Sequence, residues 1–218
     1  MAKIIPFKAV RPTRDKVGLI ASRSYESYST KEKNARLRDN PFSFLHIVNP
    51  GYKYQKAITG ERRYSLVRNR YKEFKEDGSF LQDKTSCFYF YKIISKEGHE
   101  FNGIIAGAST LDYQNNIIKK HENTLKRKEI IFEQYLKTVG FNAEPVLLMY
   151  EDDVAFDNLL LTIKKERPEY EFSTTDKRLH RLWLVQDSEN IEKITSFFNL
   201  HCLFFCQLKR TNGTPAIT

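Results

Sequence analysis

Two apolar segments, at residues 87–94 and 101–110, constrain the fold of this chain most strongly. The first reads CFYFYKII and the second FNGIIAGAST, and both are rich in aromatic and β-branched residues, which favour strands. The polar turn SKEGHE separates them. Two strand-forming runs joined by a short glycine-containing turn predict a β-hairpin, so the chain contains antiparallel sheet.

Helical periodicity occupies much of the remaining sequence. Apolar residues recur at spacings of three and four within residues 59–77, and Gly78 is placed to end that helix. Further helices are predicted at residues 124–139, 154–166 and 188–199, and a shorter one is predicted from Thr30 as N-cap to Asn40. Strands are predicted at residues 4–10, 42–48, 145–150, 170–172, 179–185 and 203–208. This irregular alternation predicts an α+β (mixed α/β) fold with a mixed, largely antiparallel sheet, flanking helices and hairpins.

The composition is that of a globular chain with an excess of basic residues. Its 218 residues are 40% hydrophobic and 29% charged, with a formal net charge of +9. Such a charge attracts nucleic acid, anionic membranes or phosphorylated metabolites, and it also describes an ordinary solvated surface. The basic residues are spread along the chain in short runs such as Lys126-Arg127-Lys128, whereas a nucleic-acid-binding tail is usually more concentrated.

The cysteines and the hydropathy of the sequence indicate the cellular compartment of the protein. Cys87, Cys202 and Cys206 form no regular disulfide framework, which predicts reduced thiols, and no companion residues stand at zinc-binding spacing. The N-terminal residues lack the apolar stretch of a signal peptide, and no long uncharged segment is suited to crossing a membrane. We therefore expect a cytoplasmic protein without a membrane partner.

The most suggestive polar cluster is the segment from Lys119 to Thr124, at the entrance of a predicted helix. A histidine beside a glutamate, here His121 and Glu122, can act as a general base or bind a metal ion. Lys120 and the free backbone N–H groups of the helix entrance favour an anionic group. The alternative is that Glu122 and Thr124 cap the helix and the lysines are simply solvated. None of the common nucleotide-binding, metalloprotease or hydrolase motifs is present in the sequence.

Three other polar residues are candidates for a site. His46 follows Asn40-Pro41 and would share a strand face with Phe42 and Phe44, either as a site residue or as a buried histidine with satisfied hydrogen bonds. Glu144 precedes an apolar run and would hold a cationic partner or an amine, or would be a loop residue. Arg181 would bind a phosphate, or would lie on a strand whose Trp183 enters the core.

Taken in order, several motifs resemble a single family. They are PFKAVRP at residues 6–12, Ser24-Tyr25-Glu26, NPFSFLHIVNP at 40–50, IIKKHENT at 117–124, NAEPVLLMY at 142–150 and HRLW at 180–183. Together they resemble the bacterial and archaeal domain of unknown function 1015 family from about residue 4 to about residue 205. Where this chain has Glu26 the family usually has Asp, so the charge is kept.

The resemblance also implies that family members continue further. After a strand that matches residues 203–208 they carry an Asp-Gly-His-His-Arg motif, which this sequence does not have. Residues 1–208 are therefore expected to be the N-terminal part of a family protein. A truncated, frameshifted or deliberately cut product would have such a sequence. Residues 209–218 are expected to be a frayed polar tail. Whether this chain is itself active stays open.

The His-Glu step combined with that motif is similar to the ParB/sulfiredoxin-like superfamily, which includes free-serine kinases and DNA-partitioning proteins. The similarity implies an incomplete ParB/sulfiredoxin-like core and phosphoryl transfer to serine or a related metabolite, with Mg²⁺ and a nucleotide as cofactors. Glu122 would act as base, and His121 would contact phosphate or metal. The full candidate site comprises His121 and Glu122 as catalytic residues and Lys120, Thr124, His46, Glu144 and Arg181 as substrate- or phosphate-binding residues, with no metal ligand assigned.

Two other functions remain open at this point. One is a non-catalytic regulatory or interaction module. The other is a nucleic-acid-binding ParB-like protein, which ranks lower because the sequence shows neither a clustered basic face nor a recognition helix. The expected partner is thus a small anionic metabolite or a nucleotide.

Overall fold

A computed structural model describes residues 2–119, 126–205, 209–211 and 214–216 of the chain. The chain divides into two compact units. Unit 1 comprises Met1–Ala9, Asp83–Asn123 and Glu144–Thr218, and unit 2 comprises Val10–Gln82 and Thr124–Ala143. Each unit is therefore built from segments that are distant in sequence.

The described helices are α1 (Val17–Ile20), α2 (Thr30–Asp39), α3 (Leu45–Val48), α4 (Gly60–Glu76), α5 (Thr110–Gln114), α6 (Lys126–Val139), α7 (Val154–Ile163) and α8 (Ser188–Leu200), with short 3-10 turns at Tyr25–Ser27 and Pro50–Tyr54. The described strands are β1 (Ile4–Ile5), β2 (Val10–Pro12), β3 (Phe80–Gln82), β4 (Phe88–Ile94), β5 (Glu100–Ile105), β6 (Gly107–Ala108), β7 (Leu148–Met149), β8 (Tyr170–Ser173), β9 (Leu179–Val185), β10 (Phe204–Phe205), β11 (Lys209–Thr211) and β12 (Thr214–Ala216). This mixture of helices with small antiparallel sheets confirms the α+β fold class.

Unit 1 is organised around a four-stranded antiparallel sheet of order β5-β4-β9-β8. The predicted hairpin is confirmed as β4 and β5, and the predicted pair at 170–172 and 179–185 is confirmed as β8 and β9. Phe90 faces Trp183 across the two central strands, and their rings lie 5.2 Å apart. Residues of α7 and α8 complete this core, in which each buried large apolar side chain contributes about 1.5–3 kcal/mol.

Unit 2 is mainly helical, and its two longest helices run in the same direction. Tyr64 of α4 packs edge-on against Tyr135 of α6 with ring centroids 5.2 Å apart. Tyr71, seven residues further along α4, stacks on Phe141, just beyond the end of α6. The apolar stripe predicted for residues 59–77 thus forms part of the core of unit 2, where Val67 is fully buried.

Helix ends agree closely with the sequence prediction. Gly78 and Gly140 follow α4 and α6 with positive φ values of 72° and 78°, a conformation that glycine adopts without the steric cost a Cβ would bring. The predicted N-cap Thr30 is wrong by one residue. Ser29 caps α2, accepting from the amide of Glu32, while the Glu32 carboxylate accepts from the amide of Ser29.

The strand predicted at residues 42–48 is wrong, because this segment forms two turns and helix α3. The side-chain oxygen of Asn40 accepts from the amide of Phe42, and the Asn40 carbonyl accepts from the amide of Ser43. Such side-chain-to-backbone bonds turn the chain and compete with extended structure. The buried side chains are accordingly those of Ser43, Leu45 and Ile47, not the even-numbered set that a strand would bury.

Of the buried strand predicted at residues 145–150, only Leu148 and Met149 form a strand, which pairs with β10, and neither of them is buried. Val146 and Leu147 are exposed, at 63% and 50%. In the predicted tail, β11 pairs with β12 in antiparallel register.

Candidate functional site

The segment from Lys120 to Thr124 lies outside the described residues. The roles predicted for Lys120, His121, Glu122 and Thr124 therefore stay predictions. Of the other three candidate residues, His46 belongs to unit 2, whereas Glu144 and Arg181 belong to unit 1.

His46 is held in a defined orientation on α3. Its Nε2 atom lies 3.1 Å from the carbonyl oxygen of Asn40, which can only accept, so Nε2 carries the proton in the neutral ring. The ring packs edge-on against Tyr52 at 6.0 Å. Burial lowers the pKa of His46, and the nearby Arg70 cation lowers it further, despite the favourable bond to Asn40. His46 is therefore neutral at pH 7, with a lone pair on Nδ1.

His46 lines a pocket of about 260 Å³ whose walls are formed by the turn at residues 49–54 and one side of α4. Lys53 and Arg70 bring two cations to this pocket, Asn69 brings an amide, and Glu73 brings one carboxylate. The Arg70 guanidinium pairs with Glu73 and lies 5.1 Å from the centre of the Phe74 ring. Because a guanidinium has five N–H donors, a single carboxylate fixes its orientation without saturating it. The pocket is suited to an anionic group.

Lys53, Asn69 and Arg70 were not predicted as site residues. The helical periodicity of α4 identified its buried stripe, but Arg70 and Asn69 lie beside that stripe and carry no signal of their own. The pocket exists because a separate turn covers this side of the helix.

Positive charge is concentrated in unit 2. This unit has 20 Lys and Arg against 10 Asp and Glu, a formal charge of +10, whereas unit 1 has 16 against 17, a formal charge of −1. At least five of the ten carboxylates in unit 2 pair with bases of the same unit. The spread of basic residues along the sequence therefore concealed a strong asymmetry between the two folded units, and such a field raises the local concentration of anions.

Arg181 lies on the central strand β9 and is held by an acidic neighbour. Its Nε donates to Glu171, directly opposite on β8, at 2.5 Å. On the other side its register partner is Lys92 of β4, whose largely buried ammonium pairs with Glu100 at 2.6 Å. That hydrogen bond with Lys92 lowers the pKa of Glu100, and Arg181 and Lys164 add to the effect. Arg181, which was predicted to bind phosphate, thus belongs to a network in which Arg181 pairs with Glu171 and Lys92 pairs with Glu100.

Glu144 lies in the exposed segment before β7. Its predicted setting, the edge of a buried strand, is not what the structure shows, because the residues that follow it are exposed.

His180, for which no role was predicted, lies in a chain of hydrogen bonds in unit 1. The Thr174 hydroxyl donates to Asp176 at 2.5 Å, so its oxygen accepts from Nε2 of His180 at 3.1 Å. Nδ1 of His180 consequently accepts from the Tyr91 hydroxyl at 2.6 Å. Burial raises the pKa of Tyr91 to about 12 and lowers the pKa of His180, with Arg178 acting in the same direction on His180. The alternation of His180 with Leu182 was the available signal, because it points both side chains to the sheet face opposite Trp183.

Two further features are absent from the described part of the chain. It contains no group of three His, Cys, Asp or Glu side chains arranged to hold a metal ion. None of its helices combines the length and the apolar character needed to cross a membrane.

Comparison with known proteins adds a family but no activity. No curated protein and no solved structure matches the chain significantly. The profile of the family described as Protein of unknown function (DUF1015) matches residues 4–205, nearly the whole chain, which bears out the resemblance seen in its motifs. The chain belongs to this family of proteins of unknown function.

Proposed function

We propose that this protein is an enzyme of small-molecule phosphoryl transfer that acts on serine or a related metabolite and is built on a ParB/sulfiredoxin-like core. The observation that carries the proposal is the pocket of His46, Lys53 and Arg70 in the unit that bears a formal charge of +10. Catalysis of phosphoryl transfer consists mainly of positioning and charge neutralisation, which basic side chains around a small pocket supply.

In this proposal Arg70 and Lys53 neutralise the anionic group of the substrate. Neutral His46 uses its Nδ1 lone pair to accept a hydrogen bond from a substrate hydroxyl or a protonated phosphate oxygen. Arg181 and Glu144 remain candidates for phosphate and amine binding, and Arg181 would have to share its guanidinium with Glu171.

The remaining roles rest on the family motifs. Glu122 is proposed as the base, His121 as a contact to phosphate or metal, and Lys120 and Thr124 as substrate-binding residues. Mg²⁺ and a nucleotide are the expected cofactors. The contact of His121 with a metal ion is what the family resemblance implies. We place the reaction in the cytoplasm, in keeping with the free thiols of Cys87 and Cys202.

Isothermal titration tests the pocket directly. Sulfate, phosphoserine and serine would be titrated into the wild-type protein and into Arg70→Ala, with Arg68→Ala as matched control, because Arg68 is an exposed arginine of the same helix that does not line the pocket. We expect Arg70→Ala to weaken anion binding about tenfold, the equivalent of one charge-assisted contact, and Arg68→Ala to leave it unchanged. Absence of binding by the wild-type protein, or equal weakening by both variants, would remove the pocket from the proposal.

The charge of unit 2 also favours a second function, the binding of nucleic acid. A protein that neutralises several phosphates loses affinity steeply as salt rises, because counterions are released. Filter binding of single- and double-stranded oligonucleotides at 50 to 300 mM salt separates this function from binding of a small anion. A weak response that does not change with salt would count against it.

A further inference from the structure

A second cavity, of about 450 Å³, adjoins the first pocket in unit 2. The two share Asn49 and Pro50 as a common wall. The second cavity is bounded by the chain from residue 56 to residue 60, by the first turn of α4 and by Tyr25. Its volume lies within the range of about 300–1,000 Å³ that is usual for small-molecule sites.

The side chains around this cavity combine two cations with two aromatic rings. Lys56 and Arg63 supply the cations, and Tyr25 and Tyr64 supply the rings. The Arg63 guanidinium donates to the carbonyl of Val48 at 2.9 Å, which fixes its position and leaves further N–H donors available to a ligand. Tyr25 is 40% exposed, and Lys33 lies over one face of its ring at 4.2 Å.

A close contact with Gly51 positions the backbone of Lys56. Its amide donates to the carbonyl of Gly51 at 3.3 Å, closing the loop that separates the two pockets. A Cβ on Gly51 would lie 2.4 Å from the carbonyl oxygen of Lys56, so only glycine permits this approach. The wall between the two pockets is thus a tight loop that requires glycine at position 51.

We propose that the second cavity binds a nucleoside triphosphate, with its phosphates at Lys56 and Arg63 and its base against Tyr25 and Tyr64, while the first pocket binds the acceptor. The inference rests on the proposed function and assigns its two substrates to two adjoining sites. Two cations match a polyphosphate, and aromatic rings bind nucleobases by stacking, at about 1–3 kcal/mol per base. Adjoining sites also meet the geometric demand of phosphoryl transfer, because donor and acceptor must lie side by side.

In the transfer itself, the acceptor hydroxyl oxygen forms a bond to the γ-phosphorus as the bond from that phosphorus to the bridging oxygen breaks. The hydroxyl proton is released to water, and the nucleoside diphosphate leaves with the electron pair of the broken bond. No oxidant or reductant takes part.

Fluorescence anisotropy of a methylanthraniloyl-labelled ATP, with and without Mg²⁺, tests the assignment on the intact chain. The variants are Lys56→Ala, Arg63→Ala and Tyr25→Ala, with Arg62→Ala as matched control because Arg62 is the exposed neighbour of Arg63 and does not line the cavity. We expect each of the first three to weaken nucleotide binding about fivefold to tenfold, and we expect Arg62→Ala to leave it within twofold. Arg70→Ala should weaken sulfate binding and spare the nucleotide.

Several outcomes overturn the assignment. One is that Lys56→Ala and Tyr25→Ala leave nucleotide binding unchanged. Another is that Arg62→Ala weakens nucleotide binding as much as the cavity variants do. The third is that the wild-type protein binds sulfate but no nucleotide. Arg63→Lys keeps the charge, and so separates loss of a cation from loss of the bond to Val48. If the nucleotide binds as expected but phosphate is never transferred to serine or a related acceptor, the phosphoryl-transfer function fails while the nucleotide site stands.

Discussion

Tyr91 and His180, on the two central strands of the unit 1 sheet, are joined by a hydrogen bond of 2.6 Å from the tyrosine hydroxyl to Nδ1. Both nitrogen atoms of the imidazole have hydroxyl partners, and the ring stacks on Phe172 at 5.1 Å. This arrangement satisfies the hydrogen-bonding capacity of both nitrogens of the neutral ring. A protonated ring would have to donate from both nitrogens, which conflicts with the direction of the bond from Tyr91.

The first prediction concerns pH. Burial depresses the pKa of His180 below its usual value of 6.5, with Arg178 acting in the same direction and Asp176 opposing it. The unfolded chain therefore takes up a proton near pH 6.5 while the folded chain does not, so the free energy of unfolding falls as pH drops through that value. Urea unfolding at pH 7.5 and pH 5.5 measures the fall, to which His46 contributes in the same direction.

Replacing His180 measures how much this residue contributes to the loss of stability at low pH. His180→Phe is expected to show a smaller loss of stability between the two pH values than the wild-type protein, whatever its absolute stability. His99→Gln, at an exposed turn position, is the control and should keep the wild-type difference. Equal differences in all three proteins would contradict the assignment.

The second prediction concerns Tyr91 itself. Tyr91→Phe removes the donor to Nδ1 and leaves a buried acceptor unsatisfied, so we expect a loss of about 1–3 kcal/mol in the free energy of unfolding at pH 7.5. Tyr54→Phe is the matched control, since the Tyr54 ring is 50% exposed. A loss of the same size in the control would mean that the bond to His180 is not the cause.

A third prediction follows from the start of α2. Ser29→Ala removes the oxygen that accepts from the Glu32 amide at 3.2 Å, and should cost about 0.5–2 kcal/mol. Thr30→Ala changes the next residue, which does not cap the helix, and should be nearly neutral. Denaturant unfolding of the two variants decides between Ser29 and Thr30, the N-cap predicted from the sequence. A larger loss of stability in Thr30→Ala than in Ser29→Ala would show that Thr30 is the cap.

The fourth prediction concerns the loop between the two pockets. Gly51→Ala places a Cβ 2.4 Å from a backbone oxygen, and we expect a loss of about 1–3 kcal/mol together with weaker binding in both pockets. Gly103→Ala, on β5, meets nothing within 4 Å and should change stability by less than about 1 kcal/mol. Thermal unfolding, sulfate titration and anisotropy of the labelled ATP provide the measurements, and unaltered binding by Gly51→Ala would show that the loop does not shape the pockets.

The fifth prediction links His46 to anion binding. Protonation of His46 adds a positive charge to the pocket, so sulfate, which does not itself titrate here, should bind more tightly as the pH falls from 7.5 through the depressed pKa of His46. His46→Gln should abolish this pH dependence while leaving the affinity at pH 7.5 similar. Calorimetric titration over a series of pH values from 7.5 downwards is the measurement, and a pH dependence that survives in the variant would assign it to another group.

Local structure was largely predictable from the sequence. The hairpin of β4 and β5, the stripe of α4 and the glycine that ends it each depend on residues within about 20 positions of one another, and periodicity records such short-range preferences. Residues 42–48 show the limit of this reasoning, because a short apolar run suits a strand or a buried helix equally well. Two polar side chains, Asn40 and Ser43, decided the outcome through bonds to the backbone.

Three features were decided only by the tertiary structure: the division into two discontinuous units, the concentration of positive charge in one of them, and the walls of both pockets. Periodicity shows which side of an element is buried, but it does not show which distant segment covers that side. Arg181 illustrates the difference. Its place on a strand followed from its neighbours in sequence, whereas its pairing with Glu171 and its position beside Lys92, 89 residues away, exist only because β8, β9 and β4 lie side by side in one sheet.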